Sequence, residues 1–385
     1  MKEPTSAAIS TPAPRRLETG PMKLAWISGA APGTAVDRVG SALCEPFQTH
    51  PDFRKVSFNR TAGVMQEEQP GKSPVTLGKG FTRFGKTAFL LSFKGRLPAY
   101  DACFFDTQNL AFLAPPGACV MVYDLFYLTH PSFPLERLQG RILYQGLGAC
   151  RAFMSDSEWT KQQMVQLLKI DPEKIAAIPM GYNREVFHPA SVDGERFRAA
   201  LGLSPRALIV LHVSSGEPRK NFDGLLRAFA RLSKDVPEAI LLKAGRDLKK
   251  GTRAEHEALV DALGLKSKVK FLGAVDDMHL AELYRAADCF VFPSKAEGFG
   301  LPVLEAQACG CPTVTSNVTA LPEVAGPLSR MADPNDHQAL SEAIKGVLAD
   351  PMWRVRMAAD NQAFLGRFTW EKGRRFLGKY LGLGE

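Results

Sequence analysis

Short apolar runs recur along the whole chain, separated by longer polar stretches. In the first half they read KLAWISG, RKVSF, ACFFDT, ACVMVYD, ACRAFMSDS and IAAIPMGYN. In the second half they read ALIVLHVSS, AILLKAG, KVKFLG, DCFVFPS and CPTVTS. Runs this short and apolar throughout suit parallel strands buried on both faces. Helical periodicity fills the gaps of the second half, over residues 221–233, 254–263, 277–287, 302–309 and 336–349. Such alternation predicts an α/β fold with a doubly wound sheet, and it occurs twice. The polar stretch 184–205 marks a junction between a domain over 22–185 and one over 186–365. The last segment, 366–385, reads as an amphipathic helix. Residues 1–21 are rich in Pro, Ser, Thr and Ala without an apolar core. They predict a disordered tail, not a signal peptide.

Composition changes this picture little. The 385 residues are 45% hydrophobic and 23% charged, enough apolar material for two cores. The net charge of +8 speaks of partners, suiting phosphate-bearing ligands, an anionic bilayer or nucleic acid. Seven scattered cysteines sit in apolar runs and read as small buried hydrophobes. No metal-binding spacing occurs, so no metal and no cofactor is expected. No apolar run is long enough to span a bilayer, and a cytoplasmic location is expected.

The candidate chemistry starts with SKAEGFGLPVLEAQACG, residues 294–310. Glu297 and Glu305 are its only acids, and an apolar, glycine-punctuated run separates them. DCFVFPS predicts a strand and LPVLEAQAC a helix with Pro302 in its first turn. KAEGFG is then the loop at the carboxyl end of a parallel strand, where ligands of open α/β sheets bind. Gly298 and Gly300 permit close backbone approach. The amides of Phe299, Gly300 and Leu301 face an anion at the helix start. Glu305 is expected in that first turn. Two carboxylates flanking a phosphate nest suit the hydroxyls of a nucleotide-sugar; a capping carboxylate plus a surface one is the competing reading. Upstream, HVSSGEPRKNFDGLLRAF places Arg219 and Lys220 before a helix, a planar fork and a point charge that suit a diphosphate.

EGFGLPVLE together with GEPRKNFDGLLRAF resembles the retaining glycosyltransferases of family 4, which have the GT-B fold. FMSDSEWTKQQMVQLLKIDPEKIAAIPMGYNREVFHP, CGCPTVTSNVTALPEVAG and FTWEKGRRFLGKY extend the resemblance over roughly residues 22–380. It implies two Rossmann-like domains facing a central cleft, with the final helix crossing back onto the first. It also implies that Glu297 binds donor-sugar hydroxyls, and that Glu305 binds the ribose. The amides of Gly298, Phe299, Gly300 and Leu301 would hold sugar and phosphate. Arg219 and Lys220 would neutralise the departing diphosphate in place of a metal, and the chain has no D-x-D motif. Gly29 and Gly33, in SGAAPG, would let the first domain close on the donor. Relatives often carry His-Asp after the fourth strand of that domain; here Tyr123 and Asp124 stand there. A tyrosine donates hydrogen bonds but is a poor base at neutral pH.

The expected activity is hexose transfer, of mannose or glucose type, from a nucleoside diphosphate sugar to a hydroxyl acceptor. The acceptor is a sugar or lipid-linked molecule of cell-surface polysaccharide or glycolipid synthesis. A catalytically impaired nucleotide-sugar-binding partner, or a sugar-nucleotide epimerase, is the alternative. Between 69 and 100 lie Lys72, Lys79, Arg83, Lys86, Lys94 and Arg96, with Phe81, Phe84, Phe89 and Phe93 interleaved and no acid among 72–96. Two readings stand: a surface for an anionic membrane, or solvated cations over core phenylalanines. Nucleic acid is not expected.

Overall fold

The computed structural model describes residues 22–29, 34–59, 61–80, 90–131, 134–247 and 251–383. The chain forms two units. One runs to Met180 and takes back the chain from Thr369; the other is Gly181–Phe368.

The described strands of the first unit are β1 (Leu24–Ser28), β2 (Phe53–Asn59), β3 (Val64–Glu68), β4 (Val75–Lys79), β5 (Ala102–Phe105), β6 (Cys119–Val122), β7 (Ala152–Ser155) and β8 (Ile175–Ala177). They lie in one sheet in the order β4-β3-β2-β1-β5-β6-β7-β8. From β2 to β8 the pairing is parallel, with Leu24 opposite both Phe53 and Ala102. Every residue of β1, β5, β6 and β7 is buried, as two-sided burial of apolar runs requires. Beyond β2 the sheet adds an antiparallel pair that the sequence reading did not contain. Those two strands are only partly covered, so their residues show no apolar run to read.

The second unit has β9 (Leu208–Val213), β10 (Ala239–Ala244), β11 (Val269–Gly273), β12 (Cys289–Phe292), β13 (Thr313–Ser316) and β14 (Arg330–Ala332). All are parallel, in the order β11-β10-β9-β12-β13-β14. The helix Phe222–Asp235 covers this sheet. Its Phe222, Leu225, Leu226, Phe229 and Leu232 recur at spacings of three and four and are all buried. Each contributes roughly 2 kcal/mol by leaving water.

Both sheets reverse their winding beside their first strand, between β1 and β5 and between β9 and β12. A crevice opens there outside the carboxyl ends of the strands. The final helix, Glu371–Leu381, belongs to the first unit. Its Leu377 and Leu381 are buried, and the Arg374 guanidinium donates to the Ala42 carbonyl at 2.8 Å. A side chain at Gly373 would come within 2.5 Å of Leu43, so the helix needs glycine to sit this close. No described helix is long and apolar enough to cross a membrane.

Candidate functional site

The winding reversal of the second unit gathers most of the residues expected from sequence. After β9 a short 3-10 turn, Pro218–Lys220, presents Arg219 and Lys220. After β12 the loop 293–300 carries Glu297. The two loops are tied by backbone and side chains alike. The Lys295 amide donates to the Arg219 carbonyl at 2.8 Å, and the Arg219 guanidinium donates to the Ala296 carbonyl at 3.1 Å. The same guanidinium reaches Glu297 Oε2 at 3.0 Å, while Lys220 Nζ donates to Oε1 at 2.7 Å. Arg219 also bonds Glu217 at 2.9 Å. Two cations and two carboxylates thus form one charge-balanced group.

Glu297 is 6% exposed. Burial alone would raise its pKa, but Lys220 and Arg219 outweigh it and hold the carboxyl below the usual carboxylate range. Burial draws the Lys220 ammonium below its ordinary value, with Glu297 opposing. Lys220 also lies 5.0 Å from the centre of the Phe292 ring.

Two positioning residues had no reading in the sequence. Asn221, in the left-handed conformation, closes the basic turn. Its buried amide donates to the carbonyls of Pro293 at 3.1 Å and Pro334 at 2.7 Å, locking the turn against the loop after β12. The Thr319 hydroxyl accepts the Glu297 amide at 3.0 Å. Asn221 falls within the quoted RKNF stretch, where an Asn before a helix is a readable turn signal. Thr319 leaves no local trace.

The helix Leu301–Ala308 begins right after Gly300, which has φ +113°. A β-carbon at Gly300 would lie 2.8 Å from Leu321. Glycine is therefore required by conformation and by space. Glu305 is the fifth helical residue and not in the first turn, which holds no acid; this corrects the sequence placement. The Gly300 cap starts the helix one residue earlier than Pro302 suggested. Glu305 is buried inside the unit. The Phe299 ring is also buried, edge-on to Phe368 at 6.0 Å. Its side chain serves packing, leaving its amide for any ligand. Gly298 is buried in the same loop.

The first unit holds the remaining expected residues. Tyr123 follows β6; its buried hydroxyl has no hydrogen-bond partner among the described residues. Burial, with the carboxylates of Asp106 and Asp156, pushes its pKa up, so it stays protonated and able to donate. The Asp124 carboxylate accepts the Phe126 amide at 3.0 Å. Gly29 directly follows β1, and Gly33 lies outside the described residues, as do Phe81, Arg83, Phe84, Lys86 and Phe89 of the basic stretch. Lys72, Lys79, Lys94 and Arg96 are exposed. Phe93 is fully buried against Phe58, so this ring belongs to the core and cannot meet a membrane. All seven cysteines are buried and unpaired.

The family described as Glycosyl transferases group 1 matches residues 193–373. The O-antigen chain mannosyltransferase B of Escherichia coli is 30% identical over 259 residues, which are 66% of this chain and 67% of that protein. The chain belongs to the group 1 glycosyl transferases. A D-inositol 3-phosphate glycosyltransferase of Segniliparus rotundus is 34% identical over 244 residues, 62% of this glycosyltransferase chain and 53% of that protein. The chain thus spans about half the length of that second relative. Among solved structures, HepE of Anabaena in complex with UDP and glucose aligns with a TM-score of 0.73 at 19% identity, covering 94% of this chain and 99% of that one. WaaG, a glycosyltransferase involved in lipopolysaccharide biosynthesis, aligns with a TM-score of 0.70 at 20% identity, covering 92% and 99%. These likenesses give the fold, which is GT-B.

Proposed function

We propose that the protein is a retaining hexosyltransferase. It moves a mannose- or glucose-type sugar from a nucleoside diphosphate sugar to a hydroxyl of a sugar or lipid-linked acceptor. The observation that carries this reading is the convergence of Lys220 and Arg219 on buried Glu297 where the second sheet reverses. A diphosphate entering that crevice meets two cations already fixed in position. Their charge stabilises the leaving group without reorganisation, the role otherwise given to a metal. Glu297, kept ionised by the same cations, accepts hydroxyls of the donor sugar. The amides from Gly298 to Leu301 face sugar and phosphate, and Glu305 accepts from the ribose. Tyr123 donates to the reacting sugar, and the leaving phosphate takes the acceptor proton. The work is positioning and charge stabilisation.

The choice of donor follows two relatives, an O-antigen chain mannosyltransferase and HepE, whose structure holds UDP-glucose. The cellular role proposed is polysaccharide or glycolipid synthesis at the cytoplasmic membrane face. Lys72, Lys79, Lys94 and Arg96 would meet anionic lipid there, beside Val75, which is 58% exposed.

The test is a panel of UDP-, GDP-, ADP- and dTDP-sugars with EDTA present, read by thermal shift and by release of the nucleoside diphosphate. One donor should shift the protein and be turned over, more slowly without acceptor. Binding without release under any acceptor would favour the impaired-partner alternative. No shift with any donor would overturn the site assignment.

A further inference from the structure

The carboxyl end of β5 carries a carboxylate that the proposed reaction leaves unused. Asp106 is fully buried where the first sheet reverses its winding. Its Oδ2 accepts the Trp26 indole N–H at 3.0 Å, and its Oδ1 accepts the Gly29 amide at 3.2 Å. The Ser28 hydroxyl is a third donor. Trp26 and Ser28 belong to β1 and Gly29 follows it directly, so one side chain grips the end of the neighbouring strand. The surroundings are shaped for it. A β-carbon at Gly40, on the helix Ala35–Cys44, would lie 2.9 Å from Asp106 Oδ2 and 3.0 Å from the Trp26 ring. A β-carbon at Gly29 would lie 2.8 Å from Leu110. Two glycines therefore let the helix and the strand end close around this group.

We infer that Asp106 is a positioning residue: its ionised carboxylate pins the backbone at Gly29, and protonation loosens that hold. The inference rests on the donor-binding role proposed for Gly29. The physical reason is a count of donors and acceptors. An ionised carboxylate accepts from all three donors, whereas a protonated one carries an O–H that neither the Trp26 indole N–H nor the Gly29 amide can accept, so only the Ser28 oxygen is left to take it and the acceptors facing the two N–H groups are weakened. The charged and titratable groups facing it are Asp37 and Cys44 from the helix, Lys55 of β2 across the Trp26 ring, and Tyr123 after β6. No cation among the described residues bonds it directly. Burial therefore prevails over the three hydrogen bonds and lifts its pKa to about 6.

Trp26 reports on this contact without reference to activity. In the full-length protein, its indole N–H resonance, assigned among the four tryptophans with Trp26→Phe, should titrate with a midpoint near 6. It should be flat in Asp106→Asn. With the donor that the panel identifies, wild-type kcat/KM should fall on the acid side near that midpoint. Asp106→Asn should lose this limb and run about tenfold slower near neutral pH. A wild-type indole signal that stays flat from about pH 4.5 to about pH 8 overturns the inference. So does an Asp106→Asn protein with wild-type rate and profile. Should no donor be turned over by any form, the functional reading fails, and the indole titration alone decides whether Asp106 holds Gly29.

Discussion

The two winding reversals pose the same problem and solve it differently. In each unit a buried carboxylate, Asp106 after β5 or Glu297 after β12, grips the loop or strand end of the first strand in its sheet. Glu297 is met by two cations and stays below the usual carboxylate range. Asp106 is met by neutral donors and rises to about 6. Burial penalises both charges, and only the identity of the partners separates the outcomes. A site meant to receive a diphosphate needs fixed cations, and the second unit has them. The first unit holds its carboxylate at the edge of protonation instead.

The sharpest way to break this comparison is to remove Glu297. Glu297→Ala leaves Lys220 and Arg219 without their shared partner. It should cut donor turnover by about a hundredfold or more and lower stability by about 3 kcal/mol. Steady-state kinetics and urea unfolding read the two effects separately; wild-type values in both would dissolve the contrast. Lys220→Ala should cost about 2–3 kcal/mol of transition-state stabilisation, read as kcat/KM with EDTA present.

The pH dependence of stability should have opposite signs at the two carboxylates. For Asp106 the folded pKa is raised, so the folded state holds the extra proton between the unfolded value of about 4 and about 6. Its contribution is present below the unfolded pKa and lost as pH rises through the folded one, about 3 kcal/mol in all. Urea unfolding at about pH 4 and about pH 7 should show Asp106→Asn gaining on wild type by up to that amount. For Glu297 the folded pKa is lowered, so its contribution is present above the unfolded value and lost as pH falls. A smaller effect, about 1–2 kcal/mol, is expected from Gly300→Ala, through its positive φ and the Leu321 contact. An unchanged urea midpoint there would show that the loop before the helix can relax.

Much of this was legible in the sequence for definite reasons. Strands buried on both faces are written as apolar runs, so β1, β5–β10, β12 and β13 could be read directly; the partly covered β2 and β11 were still readable from their Val and Phe residues. The half-covered β3 and β4 and the three-residue β14 could not. Glu297 and Arg219 stood out because each sits beside a glycine or proline signal after a strand, and Lys220 because it pairs with Arg219 before a helix. Their mutual ion pair was hidden, because Glu297 lies 77 and 78 residues further along the chain. Asp106 gave no signal at all: FFDT is an ordinary strand end, and its donors come from β1, more than seventy residues earlier. Glu305 falls one residue beyond the expected first turn because proline marks the start of a helix only to within a residue.

The most direct test of the central claim is calorimetric binding of a nucleoside diphosphate, with EDTA present, to wild type and to Lys220→Ala. Wild type should bind without metal, and Lys220→Ala should bind about a hundredfold more weakly. Equal affinity in the two proteins would contradict it.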